Sequence, residues 1–191
     1  MLHLKVEAKE SPPSSNAHCD NALVGHWRSE GDNSSEDGEL EAFIDADCNL
    51  RVDERKADGV RHSTKTPLRS DRVGGERYLW FDAEWSQRTF EIDASALDAP
   101  GDVYLFSYGM KDRDRLMLHP PRHRAIAHRV LDKDIGGEVL ARENSLTVRI
   151  AGDSETVAAL LRKYRWFDLK HKIGFRRVAG DDSPPPSSTT Q

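Results

Sequence analysis

The chain has 191 residues, 37% of them hydrophobic and 32% charged, with a mean hydropathy of -0.71. Its longest apolar, uncharged run, Val103 to Met110, is eight residues; a spanning helix needs about 20, so no helical membrane span is expected. The net charge of -5 provides no global basic field, which excludes nonspecific nucleic-acid binding. Charge is unevenly spread: residues 1–110 carry 12 Lys/Arg against 22 Asp/Glu, and residues 111–177 carry 16 against 9.

Composition divides the chain into a flexible N-terminal arm (1–21), one β domain (22–178) and a disordered Pro/Ser/Thr tail (179–191). The arm begins without an apolar core segment, so Met1 to Glu10 does not read as a secretory leader. Ser11–Asn16 and Ser183–Gln191 are too polar and proline-rich to pack. The two cysteines, Cys19 and Cys48, lack the close spacing of a zinc knuckle or a C-x-x-C redox site. As a pair they would close a loop of about 30 residues, a disulfide worth roughly 3 kcal/mol on the chain-entropy model. Compartment decides whether they join: a chain without a leader stays in reducing cytosol, and a disulfide implies an extracytoplasmic site with the leader missing.

Within the domain most segments predict short strands. Leu23–Arg28 opens it, followed by a Ser/Gly-rich acidic loop, 29–38. Leu40, Ala42 and Ile44 alternate with Glu41, Phe43 and Asp45, the period of a half-buried strand. Asn49–Asp53 returns as a hairpin arm, and Asp58-Gly59 is a two-residue hairpin signal. Arg77–Asp82 is apolar on both faces at its centre, as in a strand covered on two sides, and Thr89–Ile92 is read as another strand. Val103–Tyr108 sets Tyr104, Phe106 and Tyr108 on one face. Leu116 with Leu118, and Ile126 with His128 and Val130, predict two more strands, and Glu138–Ala141 with Leu146–Ile150 predicts a hairpin.

One helix is expected. Asp153-Ser154 caps it, Glu155 suits its first turn, and Val157, Leu160, Leu161 and Tyr164 form one apolar stripe. Lys172–Val178 supplies the last strand. About eight to ten short strands with one late α-helix predict a mainly β fold, an antiparallel barrel or sandwich.

Leu23-Val-Gly25-His-Trp27 resembles the Gly-x-Trp opening strand of lipocalins and related calycin-type barrels. The late helix before a final strand ending in Phe175-Arg-Arg177 is similar to the closing elements of that group. The resemblance implies a single antiparallel lipocalin-like β-barrel, with Trp27 plugging one end and Arg176 or Arg177 stacked on it. It also implies non-catalytic binding of a small apolar or amphipathic ligand, with Trp27, Trp80, Tyr104, Phe106 and Tyr108 as candidate lining. Two alternatives stand beside it. One is a protein-interaction or structural module whose barrel is filled by its own side chains. The other is a haem- or metal-binding barrel: Gly25-His-Trp-Arg-Ser-Glu-Gly31 is similar to the opening of nitrobindin-like haem barrels, with His171 as the candidate iron ligand.

The segment 119–129 gathers His119, His123 and His128, candidate ligands for a transition metal, and Arg122, Arg124 and Arg129, a candidate anion patch. The acidic stretch Glu30–Glu41 lacks the residue order of a calcium loop. No Gly-x-Ser-x-Gly, phosphate loop or His-Glu-x-x-His motif is present. Glu84, Asp112 and Asp114 read as solvated carboxylates. No catalytic residue is assigned, the chain reads as a non-enzyme, and no cofactor is expected. A small-molecule ligand or a protein is the expected partner.

Overall fold

The computed structural model describes residues 2–7, 19–30, 39–91, 100–143 and 145–179. Both Pro/Ser-rich stretches and most of the acidic loop lie outside the described residues. The elements, in chain order, are β1 (Leu2–Glu7), β2 (Gly25–Glu30), β3 (Glu39–Ile44), β4 (Asn49–Lys56), β5 (Gly59–His62), β6 (Thr66–Pro67), β7 (Arg69–Val73) and β8 (Glu76–Asp82). They continue with α1 (Ala83–Phe90), β9 (Asp102–Asp112), β10 (Arg115–His119), α2 (His123–Leu131), β11 (Gly137–Arg142), β12 (Ser145–Ile150), α3 (Ser154–Lys163) and β13 (Ile173–Arg177).

Neighbouring strands pair antiparallel along β5-β4-β3-β2-β13-β10-β9-β8-β7, and the sheet curls. The short β6 adds two residue pairs to β4, and Leu68 then leads into β7. The result is an open half-barrel rather than the closed single barrel expected from strand count and the opening motif. Short, irregular segments at the β4–β6–β7 seam give that side only a two-residue ladder, too little to complete a regular wall.

β9 is the branch point. One edge carries β8 from Val103 to Tyr108. The opposite edge carries β1 over Asp102–Tyr104 and β10 from Ser107 onward. β1 in turn runs parallel to β12, which forms a hairpin with β11. The first residues, read as part of an arm, therefore supply a strand that joins two parts of the sheet.

Among the described residues three helices form where one was expected. Thr89 and Phe90, read as strand, end α1, whose Asp82 carboxylate accepts the Trp85 backbone N–H as an N-cap. Glu91 closes it in the left-handed region at φ 50°. Ile126, His128 and Val130, read as strand, belong to α2. Alternation over so short a run also satisfies a helix: Ile126, Ala127 and Val130 form the buried stripe, and His128 faces solvent. The late helix, α3, is capped by Asp153, whose carboxylate accepts from the Thr156 N–H at 2.8 Å.

The core has two parts, one on each face of the sheet. On the outer face, Val73, Tyr78, Trp80 and Leu105 pack with Ile126 and Val130 of α2, Val148 and Ile150 of β12, Trp166 and Phe167, and the α3 stripe covers them. On the inner face, Leu23, Trp27, Ile44, Leu50, Val52, Leu79 and Leu116 line the curl.

Candidate functional site

The curled face forms a cup with a built floor. Trp27 is fully buried, and its indole N–H donates to the Leu23 carbonyl at 2.7 Å. The Arg177 guanidinium lies 4.1 Å from the centre of the Trp27 ring and donates to the carbonyls of Val24 at 2.6 Å, Ala22 at 3.0 Å and Arg113 at 3.2 Å. It thus neutralises backbone acceptors that the chain would otherwise bury, and stacks on an electron-rich ring. Gly25 is needed here. Its φ of +137° suits glycine, and a Cβ at this position would lie 2.1 Å from Arg177 Nη1.

The segment before β2 is pinned to the floor in two ways. Cys19 and Cys48 form a disulfide with Cα atoms 5.5 Å apart. Asp20 accepts from the Tyr108 hydroxyl at 2.8 Å, and its backbone N–H donates to Ser70 Oγ at 3.0 Å. Burial, reinforced by the Asp20 charge, pushes the Tyr108 phenol far above its usual range. Burial alone would raise the Asp20 carboxyl. The Ala22 N–H, the Tyr108 hydroxyl and the charges of Arg77 and Arg72 outweigh it and hold the group below its ordinary value.

Above the floor is a cavity of about 380 Å³. Leu40, Ala42 and Ile44 of β3 and Leu50 and Val52 of β4 form an aliphatic wall. The opposite wall is aromatic: Phe81 stacks on Phe106 with ring centres 5.8 Å apart, meets Trp85 edge-on at 5.5 Å, and Trp85 meets Phe90 at 6.3 Å. Helix α1 contributes Trp85, Ser86 and Phe90, and is tied to the β5–β6 connection by a Trp85 indole N–H that donates to the Thr64 carbonyl at 2.8 Å. The polar side chains of the lining are Ser86, Tyr104 and His123. Burial raises the Tyr104 phenol, partly offset by a hydrogen bond with Gln87, so it is uncharged at neutral pH. A smaller recess of about 220 Å³ adjoins, sharing Val52 and Phe90, with Arg61, His62 and Arg88 in its rim.

Of the residues singled out in the sequence as lining, Trp27, Tyr104 and Phe106 border the cavity. Trp80 and Tyr108 do not. Trp80 turns to the outer core, as strand alternation requires of the residue between Leu79 and Phe81, and the Tyr108 hydroxyl is engaged in the floor.

The histidines of 119–129 are dispersed. His123 is buried and lines the cavity, His119 ends β10 half-buried, and His128 is exposed on α2. Among the described residues no group of three His, Cys, Asp or Glu is placed to hold a metal. Arg122 and Arg124 are exposed, whereas Arg129 pairs with Asp134 at 3.3 Å and lies over Tyr164 at 4.1 Å. His171 is exposed outside the cup, 2.7 Å from Asp168, a bond that holds the Asp168 carboxyl at about 2. Glu84 pairs with Arg88 on the exposed side of α1.

The sequence reading missed Phe81, Trp85 and Phe90 as site residues, although an aromatic every four or five residues from 81 to 90 was the available signal. It also missed Glu41 and Asp53, buried on the outer face of β3 and β4. Glu41 pairs with Arg28 at 2.8 Å and Asp53 with Arg51 at 3.2 Å.

No family model matches the sequence, and no curated protein or solved structure matches it. The half-barrel with its late helix is compatible with a lipocalin-like fold.

Proposed function

We propose that the protein binds one small apolar or amphipathic molecule in its cup and does not transform it. The observation that carries this reading is the 380 Å³ cavity with an apolar lining and three polar side chains. Ligand sites are typically apolar hollows of about 300–1,000 Å³ with a few placed polar groups. A barrel filled by its own side chains would leave no such volume, because interiors pack about as densely as organic crystals. A lipocalin-like relationship is part of the proposal, supported by the Gly25, Trp27 and Arg177 arrangement at the floor.

The Cys19–Cys48 bridge fits an oxidising, extracytoplasmic compartment. Native mass spectrometry of the protein isolated from its own source tests the binding reading. One organic molecule per chain is expected, lost in an Ala42→Trp variant that fills the cup and keeps the wild-type circular dichroism. Bare chains in both proteins, with no uptake from a panel of apolar compounds, would overturn it.

A further inference from the structure

We infer that the occupant of the cup is an uncharged molecule with a flat ring system. The inference rests on the binding reading above and narrows it. Two independent features of the lining point this way.

The first is charge. Among the described residues no Asp, Glu, Lys or Arg lines the cavity. Arg177, beneath Trp27, is bound to three backbone carbonyls, and the arginines of the adjoining recess are also engaged, Arg61 with Glu91 at 2.7 Å and Arg88 with Glu84. An ion entering the cup would leave its water without meeting a carboxylate, ammonium or guanidinium group, a costly transfer. Ser86, Tyr104 and His123 offer hydroxyl and imidazole groups, which suit a ligand's hydroxyl, carbonyl or ring nitrogen.

The second is shape. The walls differ in kind. Phe106, Phe81, Trp85 and Phe90 make a chain of touching rings on one side. Leu40, Ala42 and Val52 make a low aliphatic surface on the other. A flat ring between them would gain offset or edge contacts with the aromatic wall that a flexible hydrocarbon chain cannot make. At about 30 Å³ per water-sized share of volume, the cavity equals roughly a dozen waters, enough for two or three fused rings.

The test uses two fluorescent probes with the same rings: N-phenyl-1-naphthylamine, which is uncharged, and 1-anilinonaphthalene-8-sulfonate, which adds a sulfonate that stays ionised. Each is titrated into the disulfide-bonded full chain and into Ala42→Trp. The uncharged probe should bind once per chain, at least about a hundredfold more tightly than the sulfonate, and its signal should vanish in the variant. Decan-1-ol should displace it at least about tenfold less effectively than 2-naphthol, given what aromatic pairing adds beyond buried area. Equal or tighter binding of the sulfonate in the cup would overturn the charge selection and leave the binding reading intact. Better displacement by decanol would overturn the ring preference alone. Failure of both probes and both competitors to bind wild type would overturn the binding reading itself.

Discussion

Strands β8 and β9 are apolar on both faces, and the two faces are filled differently. Outside, Tyr78, Trp80 and Leu105 meet α2, α3 and β12, elements that carry their own apolar stripes and settle against the sheet. Inside, Leu79, Phe81 and Phe106 face the other walls of the same curled sheet. Their separation is set by strand number and curvature, so side chains cannot draw the walls together, and volume is left over. Similar residues therefore produce a solid core on one side and a cavity on the other. Side-chain chemistry alone does not distinguish core from binding site; the freedom of the opposing surface to approach does.

The largest difference should appear when one ring is removed from each face. Trp80→Ala, in the solid core, is expected to lower the free energy of unfolding by ~3–5 kcal/mol. Phe106→Ala, where the ring already borders empty space, should cost only ~1–2 kcal/mol, since much of its packing is absent from the start. Urea unfolding followed by circular dichroism measures both, and equal losses would break the comparison.

The floor of the cup should behave as a stapled element. Opening the Cys19–Cys48 bridge, by reductant or as Cys19→Ser with Cys48→Ser, is expected to cost ~3–4 kcal/mol for a 29-residue separation on the chain-entropy model. The midpoint of denaturant unfolding should fall accordingly, and Trp80→Ala should cost the same in both backgrounds. A larger cost for Trp80→Ala after reduction would mean that the two cores are not independent.

The smallest effect concerns pH. Asp20 is held below its ordinary value of 3.8 in the folded chain. A group depressed in this way adds stability above its unfolded pKa, and that contribution is lost as pH falls through the folded value. Asp20→Asn should thus be less stable than wild type at pH 7, by at most ~1 kcal/mol after solvent screening. The two proteins should converge as pH falls through the lowered folded value, below 3.8, a trend that thermal melts at several pH values would reveal. An unchanged gap at low pH would show that the Tyr108 and Ala22 contacts do not depend on the carboxylate charge.

Much of the fold was legible where one face of a strand is buried. Leu40, Ala42 and Ile44 alternate because β3 has one wall in the cup, and Arg77–Asp82 is apolar at its centre, Tyr78 to Phe81, because β8 is covered on both sides. The floor was legible through the resemblance, which pointed to Gly25, Trp27 and either Arg176 or Arg177; the structure selects Arg177, while Arg176 pairs with Glu30. α1 and α2 were harder to read. Nine residues or fewer give little more than two helical turns, and Ile126 and Val130, four residues apart, satisfy both periods until a partner surface selects one. Trp80 was misplaced among the lining residues by its chemistry, though its position between Leu79 and Phe81 assigns it to the outer face.

By itself, then, the sequence determined the strand-rich character and the late capped helix, because each rests on local periodicity or on capping chemistry. Tertiary structure alone decided that the sheet stays open, that β9 branches to β1 and β10, and that Phe81, Trp85 and Phe90 form a wall facing Leu40 and Ala42. These depend on how far strands remote in sequence curl toward one another, a distance that no local pattern encodes.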